Sequence, residues 1–394
     1  MVGAPVSVLY FSNTLARGGA EEHILTLLRG LDRTRFRPLL ACTPTVAARL
    51  RADVPADVPV TELQLRRPRD IGAAIQLAQL LRRERIAVLH SHLFYGSLFA
   101  SPIGRACRVP FIVETPHVRE MWRKSGLKSG FVVDRLAGRF VDQYIAVSVA
   151  NRRYLVEEKR LPSRKVVVIH NGSDLSKFDP LRRPADALRR SLGFGATDPV
   201  IVFTGRLEPQ KGHQVLLEAL ATVRRSWPTV RLVCVGEGAL RQDLERRTDA
   251  LGMREAVRFV GQRDDVPEWL ALADFTVLPS FYEGLPLAAI ESLAAGRAMV
   301  ATAVDGTPEV VVEGKTGLTV APGDARALAA AIERLLRDPE LRERLARAGR
   351  EHVVAGFDEK QQVARTEALY EWGLRGRLTG ERSQRQLVAT GGAR

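Results

Sequence analysis

The chain has 394 residues, 45% of them hydrophobic and 26% charged, values of a folded water-soluble protein that exclude a disordered or fibrous design and leave room for two domains of roughly 150–200 residues. Lys and Arg number 59 against 45 Asp and Glu, a formal charge of +14, which directs attention to anionic partners such as nucleic acid, anionic lipid or nucleoside diphosphates without choosing among them. Cys42, Cys107 and Cys234 lie far apart in apolar settings, which excludes a disulfide framework and a zinc cluster and points to a reduced, cytoplasmic compartment. No apolar run approaches the ~18 residues of a spanning helix, and the apolar start at 6–11 lacks a basic flank and cleavage pattern, so any membrane contact would be peripheral.

In chain order, apolar β-rich runs at 6–11, 38–42, 87–91, 110–114, 143–147 and 165–169 alternate with amphipathic helical patterns. That alternation predicts an α/β domain with a parallel sheet covered on both faces. Between Asn171 and Pro199 the rhythm breaks, with Gly172, Pro180, Pro184, Gly193 and Gly195 marking a linker around one short helix. Strand runs resume at 200–204, 231–235, 257–260, 275–278, 298–302 and 318–320, a second doubly wound α/β domain. The expected division is an N-terminal domain over 1–185, a C-terminal domain over 186–356, a final helix over 357–375 and a disordered tail over 376–394. Ligands of open α/β sheets lie beyond the carboxyl ends of the strands, so two such domains facing each other would enclose a cleft.

Chemistry concentrates after two strands of the second domain. Gly205-Arg206-Leu207-Glu208-Pro209-Gln210-Lys211-Gly212 places two cations between a strand and the helix that opens at His213. Amides at a helix start, the helix dipole and charge-assisted hydrogen bonds together favour a pyrophosphate there. Downstream, Glu283-Gly284-Leu285-Pro286 leads into a helix carrying Glu291, with Pro286 in the first turn and the amides of Gly284 and Leu285 ahead of it. Carboxylates accept hydrogen bonds and suit polyols, so Glu291 fits the vicinal hydroxyls of a ribose and Glu283 a transferred sugar.

On these segments the chain resembles the retaining nucleotide-sugar glycosyltransferases of family 4, and the likeness runs from about residue 6 to 374. The resemblance implies a GT-B fold of two Rossmann-like domains. It places diphosphate binding on Arg206 and Lys211 and the pair of glutamates, spaced by seven residues, on the donor sugar (Glu283) and ribose (Glu291). Gly18-Gly19-Ala20-Glu21 resembles the family's glycine-rich first loop, where backbone approaches the donor phosphate and the acceptor. His117, in Thr115-Pro116-His117, matches a histidine facing the transferred sugar. Asn171, in Asn171-Gly172-Ser173-Asp174, matches the start of the interdomain linker, a place equally suited to a tight turn. Gly205, Gly236, Glu237 and Val260 match strand ends that flank the donor nucleotide. Gly18, Gly19, Gly205, Gly236, Glu237, Val260, Gly284, Leu285 and Glu291 are thus the expected donor contacts. Arg206, Lys211, Glu283 and His117 are the expected catalytic set, and Glu21 and Asn171 lie on the acceptor side.

The implied reaction is transfer of a hexose-type sugar from a nucleoside diphosphate to an acceptor hydroxyl with retention, by front-face attack or through a covalent intermediate. The donor is a substrate, and no cofactor is expected. No Asp-x-Asp segment stands at a matching position, so turnover without metal is expected. Arg119, Arg123, Lys124, Lys128, Arg135 and Arg139 interleave with Trp122, Leu127, Phe131 and Val132, a basic amphipathic stretch suited to anionic membrane or a lipid-linked acceptor. That points to the inner membrane face and to cell-surface polysaccharide or lipid-linked glycan synthesis. A nucleotide-sugar epimerase on the same architecture is the alternative. Nucleic-acid binding lacks a recognised motif, and no nucleic-acid partner is expected.

Overall fold

The computed structural model of the protein describes residues 4–13, 18–65, 70–120, 129–178 and 186–379. Two α/β units divide the chain, one ending at Asn171 and resuming at Glu359, the other spanning Gly172–Asp358. In the first, the described strands are β1 (Val6–Ser12), β2 (Phe36–Cys42), β3 (Val60–Glu62), β4 (Val88–His92), β5 (Phe111–Thr115), β6 (Gln143–Ala146) and β7 (Val166–Val168). They pair in parallel in the order β3-β2-β1-β4-β5-β6-β7. The second unit carries β8 (Val200–Thr204), β9 (Arg231–Val235), β10 (Val257–Phe259), β11 (Phe275–Leu278), β12 (Met299–Thr302) and β13 (Leu318–Val320), parallel in the order β10-β9-β8-β11-β12-β13.

Helices between successive strands cover both faces, so β4, β5, β8 and β11 are buried along their whole length, and β8 and β11 read as nearly continuous apolar runs. In each sheet the first strand lies centrally, so the winding reverses between β1 and β4 and again between β8 and β11. The carboxyl ends of those strand pairs are the switch points where doubly wound sheets bind ligands.

Three details depart from expectation. Strand β3 has no apolar run behind it, because it is a three-residue edge strand with its first and last residues exposed. The units divide at Asn171/Gly172 rather than at 185. Ser173 donates its N–H to the Phe357 carbonyl at 3.1 Å and bridges Asp358, and Arg350 donates to the Phe178 carbonyl at 3.0 Å. A backbone and a side-chain hydrogen bond thus tie the first linker residues to the second unit. The final helix runs Glu359–Thr379, past the expected end at 375, and residues 380–394 of the expected tail lie outside the described residues. None of the described helices is long and apolar enough to cross a membrane.

That final helix completes the first unit's core. Val363, Leu369 and Tyr370 pack with Val8, Ile24, Phe36 and Val113, while Glu367 accepts from the Asp32 N–H at 2.8 Å and from Arg35 at 3.0 Å. A buried polar cluster stands apart from this core: Lys159 pairs with Asp134 at 2.8 Å and Glu120 at 2.9 Å, and burial pushes the nearby Glu114 carboxyl up to about 8. The helix approaches the sheet closely at Gly373, where a Cβ would meet the Phe111 ring at 2.4 Å. Gly373→Ala is therefore expected to destabilise the first unit by about 1–3 kcal/mol, an overpacking cost. Gly356→Ala, with nothing within 4 Å of its added carbon, should leave the melting curve nearly unchanged. Equal melting of the two variants would contradict this packing account.

Candidate functional site

After β8 the chain makes a single 3₁₀ turn, Pro209–Lys211, and then Gly212 adopts φ +66° to start the helix His213–Val223. A Cβ at Gly212 would lie 2.0 Å from the Pro279 carbonyl oxygen, so only glycine lets the loops after β8 and β11 meet here. Two hydrogen bonds stitch those loops: the Phe281 N–H donates to the Gln210 carbonyl, and Gln210 Nε2 donates to the Tyr282 carbonyl, both at 2.8 Å.

The stitched loops bring Lys211 and Glu283 together. Lys211 Nζ donates to Glu283 Oε1 at 2.6 Å, Ser280 Oγ donates to the same oxygen at 2.7 Å, and the Glu283 N–H donates to Asp305 Oδ2 at 2.9 Å. Loops after β8 and β11 thus converge on the Glu283 carboxylate, and the loop after β12 holds the backbone N–H of the same residue. The lysine side chain is 12% exposed and the glutamate 6%, and a pair so enclosed is costly to break on one side because the remaining charge stays buried. Arg206 differs: it is half-buried, donates to the uncharged Gln210 Oε1 at 3.3 Å, and has no ion-pair partner among the described residues. One cation of this loop is neutralised within the protein, and the other has no ion-pair partner among the described residues.

Gly236 is likewise forced. It adopts φ +148°, and a Cβ would stand 1.9 Å from the Gly205 carbonyl oxygen, while the N–H groups of Gly205 and Leu207 donate to the Val235 and Glu237 carbonyls, each at 3.0 Å. Gly236 also donates to the Gly261 carbonyl at 2.8 Å, and the Val260 N–H to that of Cys234 at 3.1 Å. The Glu237 carboxylate accepts from Arg241 at 2.9 Å and is half-exposed. The helix after Glu283 is Leu287–Ala294, so Pro286 is its extended cap rather than a first-turn residue; Glu291 is its fifth residue and partly buried, and Gly284 and Leu285 are buried. Beneath the site, burial and then the Lys211 charge pull His213 down to about 4.

In the first unit, the expected residues gather around a set of buried histidines. His117 is buried just after β5, and its Nε2 lies 2.9 Å from Nδ1 of His92, the last residue of β4. His90 bonds Tyr370 Oη through Nδ1 and Thr115 Oγ1 through Nε2, both at 2.7 Å. His23 Nδ1 lies 2.9 Å from Asn171 Oδ1 and 3.0 Å from Gln362 Nε2. Asn171 is therefore a buried partner of His23. Glu21 is buried in the first turn of the helix Gly19–Gly30, and Gly18 caps that helix in extended backbone that any residue could adopt. Of the basic stretch, 121–128 lies outside the described residues; Arg119 pairs with Glu158, Phe131 packs inward, and Arg135 and Arg139 are exposed.

Gln210, Ser280, Asp305, His23, His90 and His92 were absent from the expected site. The pattern His90-Ser91-His92 at a strand end was an available signal, since alternate strand residues share a face.

Residues 17–177 match Glycosyltransferase Family 4 and residues 184–352 match Glycosyl transferases group 1. A glycogen synthase of Mycobacterium tuberculosis is 33% identical over 329 residues, covering 80% of this chain and 75% of that protein. The UDP-Gal:alpha-D-GlcNAc-diphosphoundecaprenol alpha-1,3-galactosyltransferase of Escherichia coli is 27% identical, covering 77% and 79%. Among solved structures, Anabaena HepE in complex with UDP-glucose superposes with a TM-score of 0.80 at 22% identity, covering 92% of this chain and 99% of that one.

The buried histidines make the first unit acid-sensitive. Burial holds His23 at about 4, below its ordinary 6.5, and holds His90, His92 and His117 well below 6.5, with neighbouring rings adding to the effect. Groups with depressed pKa stabilise the fold fully above the unfolded value and lose that contribution as pH falls toward the folded one, by about 1.4 kcal/mol per pH unit for each ring. Glu114, raised to about 8, acts in the opposite sense over this window but is a single group. Urea unfolding of the first unit should show stability falling from pH 6.5 to 5. Constant stability across that interval would contradict the neutral, buried assignment.

Proposed function

The chain belongs to glycosyltransferase family 4, and from that premise we propose that it moves a hexose-type sugar from a nucleoside diphosphate to an acceptor hydroxyl, with retention of configuration and without a metal ion. The observation that carries the reading is Arg206: a half-buried cation with no ion-pair partner among the described residues, in the same loop as Lys211 at the switch point of the second sheet. A diphosphate there receives Arg206 directly. It can also take over Lys211 from Glu283, which frees the glutamate to accept hydrogen bonds from the donor sugar. Negative charge developing on the departing diphosphate is then met by two fixed cations in a partly desolvated site, the kind of preorganised stabilisation that lowers a barrier most. These charges are the basis for proposing turnover without metal.

Glu291 is assigned to the ribose, and Gly205, Gly236, Glu237, Val260, Gly284 and Leu285 to the nucleotide and phosphates. In the first unit, Gly18, Gly19, Glu21 and Asn171 are assigned to the donor phosphate and acceptor side, and His117 to the transferred sugar. The activities of the relatives, a glycogen synthase and a diphosphoundecaprenol-linked galactosyltransferase, support a hexose donor and a polysaccharide or lipid-linked acceptor. The complex of HepE with UDP-glucose supports a nucleotide-sugar donor.

A lipid-borne acceptor would be met at a membrane surface. The helix Ser129–Ala137 and the residues after it expose Val132, Val133, Leu136 and Phe140 beside Arg135 and Arg139, an apolar and basic face suited to anionic lipid. Flotation with anionic vesicles should recover the protein, and Val132→Asp with Leu136→Asp should abolish recovery. Equal recovery with neutral and anionic vesicles would remove the membrane assignment.

Arg206→Ala is expected to lower kcat roughly 10²–10³-fold, as for loss of one transition-state donor, with little change in melting temperature. Lys211→Ala should lower both, because it also strands Glu283. Wild-type activity should persist in excess EDTA, and NMR of the product should show the donor's anomeric configuration. Conversion of the donor without acceptor would instead favour the epimerase.

A further inference from the structure

Arg241 stands where helix physics disfavours it. It is the first residue of the helix Arg241–Ala250, and a cation at a helix N-terminus opposes the helix dipole, while an arginine four residues ahead of a glutamate is the weaker order of that pair. Its two carboxylate partners, Glu237 Oε2 at 2.9 Å and Glu245 Oε1 at 2.6 Å, are both half-exposed, and ion pairs of that kind contribute little to stability. The third contact leaves the helix: Nη2 donates to the Phe259 carbonyl at 2.9 Å, and the guanidinium carbon lies 5.8 Å from the centre of the Phe259 ring.

Phe259 ends β10, and Glu237 follows the end of β9 by two residues. One planar fork, with a separate acceptor for each of its three nitrogens, therefore joins the segments after those two strands. Gly261 abuts the junction: it adopts φ +73°, and a Cβ there would stand 3.6 Å from Glu237 Oε2 and 3.8 Å from Arg241 Nη1. Its carbonyl accepts from the Gly236 N–H at 2.8 Å. The turn at Val260–Gly261 is thus held from two sides, by the Gly236 backbone and by the arginine. It lies two strands, about 10 Å, from β8 and the loop of Arg206 and Lys211. A nucleoside diphosphate whose phosphates occupy that loop spans such a distance with its base.

We propose that Arg241 is a positioning residue that determines which base the donor carries: it holds the Val260–Gly261 turn against the end of β9, and that turn meets the base. This rests on the reading above that Gly236, Glu237 and Val260 belong to the donor nucleotide. Arg241 acts through the turn, whereas the charges that meet the diphosphate stand on a different loop. Base selectivity and diphosphate binding are therefore separable.

The test is calorimetric binding of UDP, GDP, ADP, TDP and CDP to the wild-type protein, Arg241→Met, Arg241→Lys and Arg206→Ala. One diphosphate should bind the wild type most tightly. Arg241→Met keeps the apolar stem and removes the fork; it should weaken the preferred diphosphate roughly 10–100-fold, the scale of a hydrogen bond to a charged group, and leave the others within a few-fold. The preference then collapses, while kcat at saturating donor stays within a few-fold of wild type. Arg241→Lys, which keeps the charge but not the fork, should lose part of the preference. Arg206→Ala should weaken all five alike. A preference retained in folded Arg241→Met, a full preference in Arg241→Lys, or equal weakening of all five diphosphates by Arg241→Met would each overturn the positioning role and leave the diphosphate site standing. Binding of none of the five to the wild type, or no weakening in Arg206→Ala, would defeat the placement of the nucleotide and the proposal with it.

Discussion

The loops after β8 and β11 can touch only because Gly212 lacks a side chain, and the second unit's site depends on that contact. The Pro279 carbonyl fills the space a Cβ would take, which lets Gln210 bond both Phe281 and Tyr282 and sets Lys211 against Glu283. Backbone closeness at one residue is thereby converted into charge placement at the next. The sheet topology adds the location: both loops leave the strands at which the winding reverses.

The two cations that share one sequence segment have different electrostatic positions. Lys211 is enclosed and neutralised, while Arg206 is half-buried beside an amide. A site arranged this way is stable without an anion yet keeps one cation to attract it, and an incoming diphosphate exchanges one charged partner of Lys211 for another. The first unit follows the opposite rule. Its buried histidines are neutral because burial withdraws them from water, so their ring nitrogens act through hydrogen bonds rather than through charge.

Much of this was legible in the sequence, for identifiable reasons. Strands such as 200–204 and 275–278 are buried on both faces and read as continuous apolar runs whose limits the structure reproduces. The edge strand Val60–Glu62 is buried on neither face and left no such trace. The places of Arg206, Lys211, Glu283 and Glu291 in a loop, at a strand end and on a helix were legible because short spacings encode local turns and helices. The partners Ser280 and Asp305 were not, since a hydroxyl and a carboxylate in loops acquire meaning only when β8, β11 and β12 end together. Asn171 was legible as the start of the linker and as a turn, whereas its bond to His23, 148 residues away, depends on the fold. Pro286 was placed one step too far into its helix because a proline suits both the cap and the first turn.

The central claim is that a nucleoside diphosphate binds at Arg206 and Lys211, and it is tested most directly by thermal unfolding with UDP, GDP, ADP, TDP and CDP in turn. Arg206→Ala is the fitting control, since Arg206 makes no ion pair among the described residues and its loss should not lower the baseline. The account predicts that one diphosphate raises the unfolding temperature of the wild-type protein, by about 2.7 kcal/mol of added stability at a hundredfold excess over Kd, and that the variant loses this response. No shift with any of the five, or an equal shift in Arg206→Ala, would contradict it.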